Sequence, residues 1–262
     1  MTLRVLTYLA PSIPLGLFEL VVERLRRVLG VRATLRAEAR HSGPPPDIPD
    51  PFSADEADLA FLCSPSFAWL SGMRPSPIEL VPAAPVFLEP RTAGRPVYFS
   101  DVIVHPGVAS ASFEERNLLA RLRALGEDRH FLRTARRSGS HLRSVELTAR
   151  GEVDGAAVDS NVLALLRRRD PLLCERVRVV ASWGPYAVQP IVVRGGTAIA
   201  RILLAMGREP AVRAALAAFG VGGFAPTSRA AYEADLAALG SDLHLAELPV
   251  AEGRVQQCSS AS

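Results

Sequence analysis

The chain has 262 residues, 48% of them hydrophobic and 22% charged, which supplies a real core for one large α/β domain or two lobes and places it outside disordered and supercharged chains. All 30 basic residues are arginine, and a net charge of +3 over this length gives no argument for nucleic acid as a partner. The basic runs Arg133-Thr134-Ala135-Arg136-Arg137 and Arg167-Arg168-Arg169 lack interleaved aromatics and read as solvated helix ends or loops, and no apolar run is long enough to insert in a membrane. The three cysteines, Cys63, Cys174 and Cys258, form neither a disulfide framework nor a zinc spacing.

Leu3–Tyr8 is β-prone and ends in the turn Ala10-Pro11-Ser12-Ile13-Pro14. Leu17, Leu20, Val21, Leu25, Val28 and Leu29 recur at helical spacing over residues 15–29, and Gly30 is the expected C-cap. Val31–Glu38 completes a βαβ unit with a parallel strand pair. His41–Phe52 is a proline-rich loop, and Ser53-Ala54-Asp55-Glu56 predicts a capping box on a short turn. Leu59–Leu62 is a buried strand, Pro65–Gly72 a short helix, and Glu79–Ala83 and Pro96–Val104 are further strands. Phe113–Gly126 predicts an amphipathic helix and Phe131–Ala135 a strand. A helix over 142–150, the strand Gly155–Asp159, the helix Asn161–Arg169 and the strand Val177–Ser182 follow. Trp183-Gly184-Pro185-Tyr186 reads as a turn before the strand Pro190–Val193. Helices are expected over 196–206, 209–219 and 228–239, and a loose tail from about Glu252. Alternating strands and helices of this kind predict mostly parallel sheet covered on both faces.

The chain has no P-loop, G-x-G-x-x-G, H-E-x-x-H or G-x-S-x-G motif, and its five histidines have no ligand spacing. Polar strand-to-helix corners stand out instead. Ser138-Gly139-Ser140-His141 precedes a helix, where backbone N–H groups and the helix dipole favour an anion; an ordinary N-cap accounts for the same residues. Cys63-Ser64-Pro65-Ser66 and Asp159-Ser160-Asn161 are similar corners, each also readable as a capped helix start. Tyr8, Tyr98 and the Trp183–Tyr186 turn with Gln189 line a pocket or fill core. Ligands of open α/β sheets bind beyond the carboxyl ends of strands, where several of these corners fall.

An ordered set of these stretches resembles the substrate-binding proteins of phosphate, phosphite and phosphonate ABC importers, which have the type 2 periplasmic-binding-protein fold. It comprises Tyr8–Pro14, Glu56–Ser66, Pro82–Val86, Gly94–Val104, Ser138–His141 with Gly151–Ser160, and Trp183–Val193, spanning residues 3–240. The resemblance implies an α/β, two-lobed fold with mostly parallel sheets and a two-crossing hinge. One lobe comprises 1–99 with 190–250, the other 100–189, and 251–262 is a flexible tail. It implies capture of a small anionic ligand by Tyr8, Ser64, Ser66, Tyr98, Ser138, Ser140, His141, Asp159 and Gln189. It implies no catalytic residue, metal or cofactor, and an ABC permease as partner. Two departures stand out. Gln189 occupies a crossing position that is often acidic in the family, and the segment from His105 to Asn117 is shorter than the family's by about one strand and one Ser/Thr-rich turn. Residues 12–22 contain Pro14 and Glu19 and lack a basic n-region, so no signal peptide is read; the chain is a mature periplasmic form or stays in the cytoplasm. A cytoplasmic enzyme and a degenerate non-binding member are the alternatives on the same scaffold.

Overall fold

In chain order, the computed structural model contains β1 (Thr2–Thr7), α1 (Leu15–Leu29), β2 (Arg32–Ala37), β3 (Leu59–Phe61), α2 (Ser64–Gly72), β4 (Glu79–Leu80), β5 (Ala83–Phe87) and a 3-10 turn at Pro90–Thr92. There follow β6 (Val97–Val104), α3 (His141–Ala149), β7 (Gly155–Asp159), α4 (Ser160–Arg169), α5 (Pro171–Glu175) and β8 (Arg178–Ala187). The last elements are β9 (Ile191–Val193), α6 (Ala198–Met206), α7 (Pro210–Ala218), β10 (Val221–Pro226) and α8 (Arg229–Leu239). The structure describes residues 2–38, 43–44, 49–107, 138–195 and 198–239. The predicted helix Phe113–Gly126, the predicted strand Phe131–Ala135, most of the shortened segment after His105 and the tail lie outside them.

A five-stranded sheet runs in the order β2-β1-β3-β9-β4. Its β1 pairs in parallel with β2 and β3, giving nine parallel register pairs against five antiparallel ones made by β9. The expectation of mostly parallel pairing therefore holds in this sheet, whereas the β5–β10 pair and the three-stranded β7-β6-β8 sheet are antiparallel. Two-residue alternation sends the first sheet's side chains to opposite faces. Val5, Leu59, Phe61, Ile191 and Val193 enter a large core with α1, and Leu6, Ala60 and Val192 enter a second with Phe67 and Tyr232. The large core continues into Ile103, Val158 and Leu163, so one apolar body joins the first sheet to β6, β7 and α4. Among the described residues, no helix is long and apolar enough to cross a membrane.

Several local expectations change. The strand expected over Glu79–Ala83 splits into β4 and β5, because Pro82 lacks the N–H a ladder needs. The turn at residues 50–56 is capped by Asp50, whose carboxylate accepts the Phe52 and Ser53 N–H groups at 3.0 and 2.8 Å, and Ser53 is not the cap. Trp183–Tyr186 is not a free turn but part of β8, where the pairing register with β6 shifts between Tyr98 and Ser100. Gly184 makes that shift possible, since its φ of 127° lies where side chains are strained and a Cβ there meets the Tyr98 carbonyl oxygen at 3.0 Å. β10 has two poor strand formers, Gly222 and Gly223, and carries no strand signal; the chain of α6 approaches so closely that a Cβ on Gly223 lies 3.3 Å from the Gly207 Cα.

Candidate functional site

The Ser138–His141 corner is built as a helix-start cradle. Gly139 takes a φ of 86°, the left-handed conformation that glycine tolerates. The Ser138 hydroxyl lies 3.1 Å from the Ser140 carbonyl oxygen, to which it donates, and 2.7 Å from the Ser144 hydroxyl. Ser140 is the N-cap of α3: its Oγ accepts the Arg143 N–H at 3.2 Å. The Leu142 N–H is donated at 3.1 Å to Oγ of Ser12, which comes from the corner between β1 and α1. The N-terminus of α3 is therefore held by two hydroxyls from distant parts of the chain. Each accepts an N–H and keeps its own O–H to donate.

His141 opens this helix, half-buried, and burial lowers its imidazole pKa against the opposing pull of Asp159. Asp159 ends β7 fully buried, in register with Ser100 of β6. Burial pushes its carboxyl up, and His141, Gln189 and the Asn161 N–H pull it back. Its Oδ1 accepts the Asn161 N–H at 2.6 Å as N-cap of α4, and its Oδ2 accepts the Gln189 side-chain amide. Gln189 thus ties the return crossing to the start of α4. Tyr98 stands 5.7 Å from Tyr186, ring centre to ring centre; burial raises its phenol, followed by the charges of Asp159, Asp235 and neighbouring groups that include Cys63.

The other three candidates stand apart. Burial pushes the Tyr8 phenol up to about 12, and its electrostatic neighbours are Arg36, Glu38, Glu56 and Asp50 rather than His141. Ser64 opens α2 half-buried, while Ser66 donates its hydroxyl to the Pro44 carbonyl at 3.2 Å and accepts from the Cys63 thiol at 3.4 Å. The structure thus joins Gln189 to Asp159 by a hydrogen bond, ties His141 and Tyr98 to Asp159 through charge, and sets Ser138 and Ser140 at the helix start that His141 opens, while Ser66 is engaged by the chain's own loop.

Sequence reasoning gives no role to Ser12, and it names Ser160 and Asn161 only as part of the Asp159 corner. Ser12 belongs to a family-like stretch that assigns it no role, and only its contact with α3 reveals one. Ser160 and Asn161 are fully buried: the Ser160 hydroxyl accepts the Phe99 N–H at 3.0 Å and the Asn161 amide donates to the Val97 carbonyl at 3.3 Å. Their place after a strand-end aspartate is the available signal. The two oxygens of Asp159 accept from Asn161 and Gln189, and His141 interacts with it through charge.

This two-lobed α/β arrangement is that of the periplasmic-binding-protein class. The structure resembles PhnD1 of Prochlorococcus marinus in complex with methylphosphonate (TM-score 0.70, 14% identity, covering 93% of this chain and 98% of that one). It also resembles a binding protein component of an ABC phosphonate transporter from Pseudomonas aeruginosa (TM-score 0.62, 12% identity, 94% and 95% covered). A third similar structure is the periplasmic aliphatic sulphonate binding protein SsuA of Escherichia coli (TM-score 0.56, 14% identity, 100% and 97% covered). A search of curated proteins returned no match. The model of the ABC transporter phosphonate periplasmic substrate-binding proteins matches residues 100–232, just over half of the chain, and the chain belongs to that family.

Proposed function

We propose that this chain captures a small oxyanion of the phosphonate class between its lobes, without covalent chemistry, and delivers it to an ABC permease. The observation that carries the reading is the Ser12 hydroxyl, from the corner after β1, meeting the N-terminus of α3. Both corners then offer neutral donors to one place, where the positive end of a helix favours an anion. In this reading residues 1–99 with 190–250 form one lobe and 100–189 the other. Ser138, Ser140, His141 and Tyr98 face the ligand, and Asp159 and Gln189 brace the crossing. Family membership supports a periplasmic place of work.

The apolar cavity that reaches Gln189, lined also by Ile13, Phe61 and Phe87, measures about 20 Å³ and has room for one water at most. In this reading the lobes part about the two crossings to admit the ligand. Isothermal titration and thermal melting with methylphosphonate, phosphate, phosphite and an alkyl sulphonate test the reading. Saturable binding and a raised Tm with methylphosphonate are expected; no heat and no shift with any of the four refute it.

A further inference from the structure

A second polar cluster lies away from the cradle, on the 3-10 turn that leads into β6. The turn is rigidly built. Thr92, fully buried, donates its hydroxyl to the Glu89 carbonyl at 2.8 Å, and Ala93 and Gly94 take φ of 51° and 74° in succession. The Leu88 N–H is bonded at 2.7 Å to the Gly220 carbonyl, which fastens the turn to the β5–β10 side of the molecule.

From this turn Arg91 reaches across to β6 and β8. Its fork grips Asp101 with two bonds of 2.9 and 2.8 Å, while Nε is donated to Glu89 at 2.8 Å. A fourth N–H goes to the Ser182 hydroxyl at 2.9 Å, and Ser182 in turn donates to Asp101 at 2.7 Å. The guanidinium lies over the Phe99 ring, 5.0 Å from its centre. Asp101 and Glu89 expose only 1% and 5% of their side chains, so two buried carboxylates depend on one arginine.

The location of these partners gives the cluster its meaning. Phe99 lies within the register shift between Tyr98 and Ser100, and Asp101 pairs with Ser182 directly beyond it. Tyr98 and Tyr186 face each other on the near side, and Ser100 pairs with Asp159 on the far side. A group that grips both strands on one side of the irregularity and stacks on the ring within it fixes the relative orientation of the two halves. Only a planar fork makes these bonds together; a lysine ammonium reproduces the charge and not the geometry.

We infer that Arg91 is a hinge-positioning residue: it pins the turn of one lobe onto the two crossing strands of the other and sets how far the lobes part. This rests on the capture reading for its consequence in binding, while its consequence for shape is independent of any ligand.

The test compares wild type, Arg91→Lys and the milder Ser182→Ala, which removes only the link to β8. Methylphosphonate dissociation is read by stopped flow, and the radius of gyration of the ligand-free protein by small-angle X-ray scattering. The expected result for Arg91→Lys is at least tenfold faster dissociation and a larger ligand-free radius, with Ser182→Ala shifted the same way by a smaller factor. A lowered Tm with dissociation within twofold of wild type and an unchanged radius overturns the inference and leaves Arg91 a structural ion pair. If Arg91→Lys does not fold, Ser182→Ala alone decides by the same two readouts. If wild type binds no methylphosphonate, the capture reading falls, and the scattering comparison still decides the hinge role.

Discussion

Ser12 offers the sharpest test of the cradle. Its hydroxyl is nearly buried and accepts the Leu142 N–H at 3.1 Å. Ser12→Ala leaves that N–H without its partner in a nearly buried place, at a cost of about 1–3 kcal/mol. For a chain of this size that lowers the Tm by roughly 2–12 °C. The same substitution removes an O–H that is free to donate to a bound anion. A hydrogen bond to a charged group contributes about 1.5–3 kcal/mol, so methylphosphonate affinity is expected to fall by about 10- to 150-fold. Ser12→Thr keeps the hydroxyl and should restore most of both. Differential scanning calorimetry of the empty protein and titration calorimetry with methylphosphonate separate the two effects. If Ser12→Ala melts early but binds like wild type, Ser12 is only a cap for α3 and the two-sided cradle is wrong.

Three further outcomes follow from the same geometry. His141→Asn removes a group whose pKa burial lowers: the neutral imidazole's contribution is complete above the unfolded value of 6.5 and lost as pH falls below it, so urea denaturation from pH 7.5 to 5 should show a smaller acid loss in the variant. Gln189→Glu sets a second carboxylate against buried Asp159 in place of the amide donor; a loss of about 3–5 kcal/mol near pH 8 that shrinks as the solution is acidified is expected, and equal losses at both ends of the range contradict the contact. Gly184→Ala places a Cβ 3.0 Å from the Tyr98 carbonyl oxygen at a φ of 127°, and denaturation should show a loss of at least about 1–3 kcal/mol.

The elements that were legible in the sequence are those whose signals are local. The stripe Leu17–Val21–Leu25 with Gly30 behind it defines α1, because burial on one face and a left-handed cap leave no other solution. The polar corners at Ser138–His141 and Asp159 were legible because strand-end hydroxyls and carboxylates cap helices wherever they occur. What escaped depends on partners far along the chain. Ser12 gains its role from residue 142, and Arg91 from residues 99, 101 and 182. β10 exists because β5 needs a partner, against the preference of Gly222 and Gly223. Ser66 reads as a cradle hydroxyl until Pro44, 22 residues earlier, takes it.

A fully buried carboxylate beside an anion cradle calls for a physical account. Asp159 spends one oxygen on the first turn of α4 and the other on Gln189, so the positive end of α4 is consumed internally. In the capture reading the start of α3, capped by hydroxyls that keep their own O–H groups, is the one that faces the ligand. On this account Asp159 shapes the site and opposes the anion electrostatically. Asp159→Asn keeps an oxygen for the Asn161 N–H, and the Gln189 amide can turn to present its own oxygen, so the fold is retained. Removing the negative charge should tighten methylphosphonate binding, measured by calorimetry at pH 7.5. It also removes the charge that raises the His141 pKa, so that pKa drops further and the stability lost below pH 6.5 becomes larger than in wild type. Weaker binding by the folded Asp159→Asn variant, with an unaltered acid slope, makes Asp159 a direct ligand contact instead of the brace that orders the crossing.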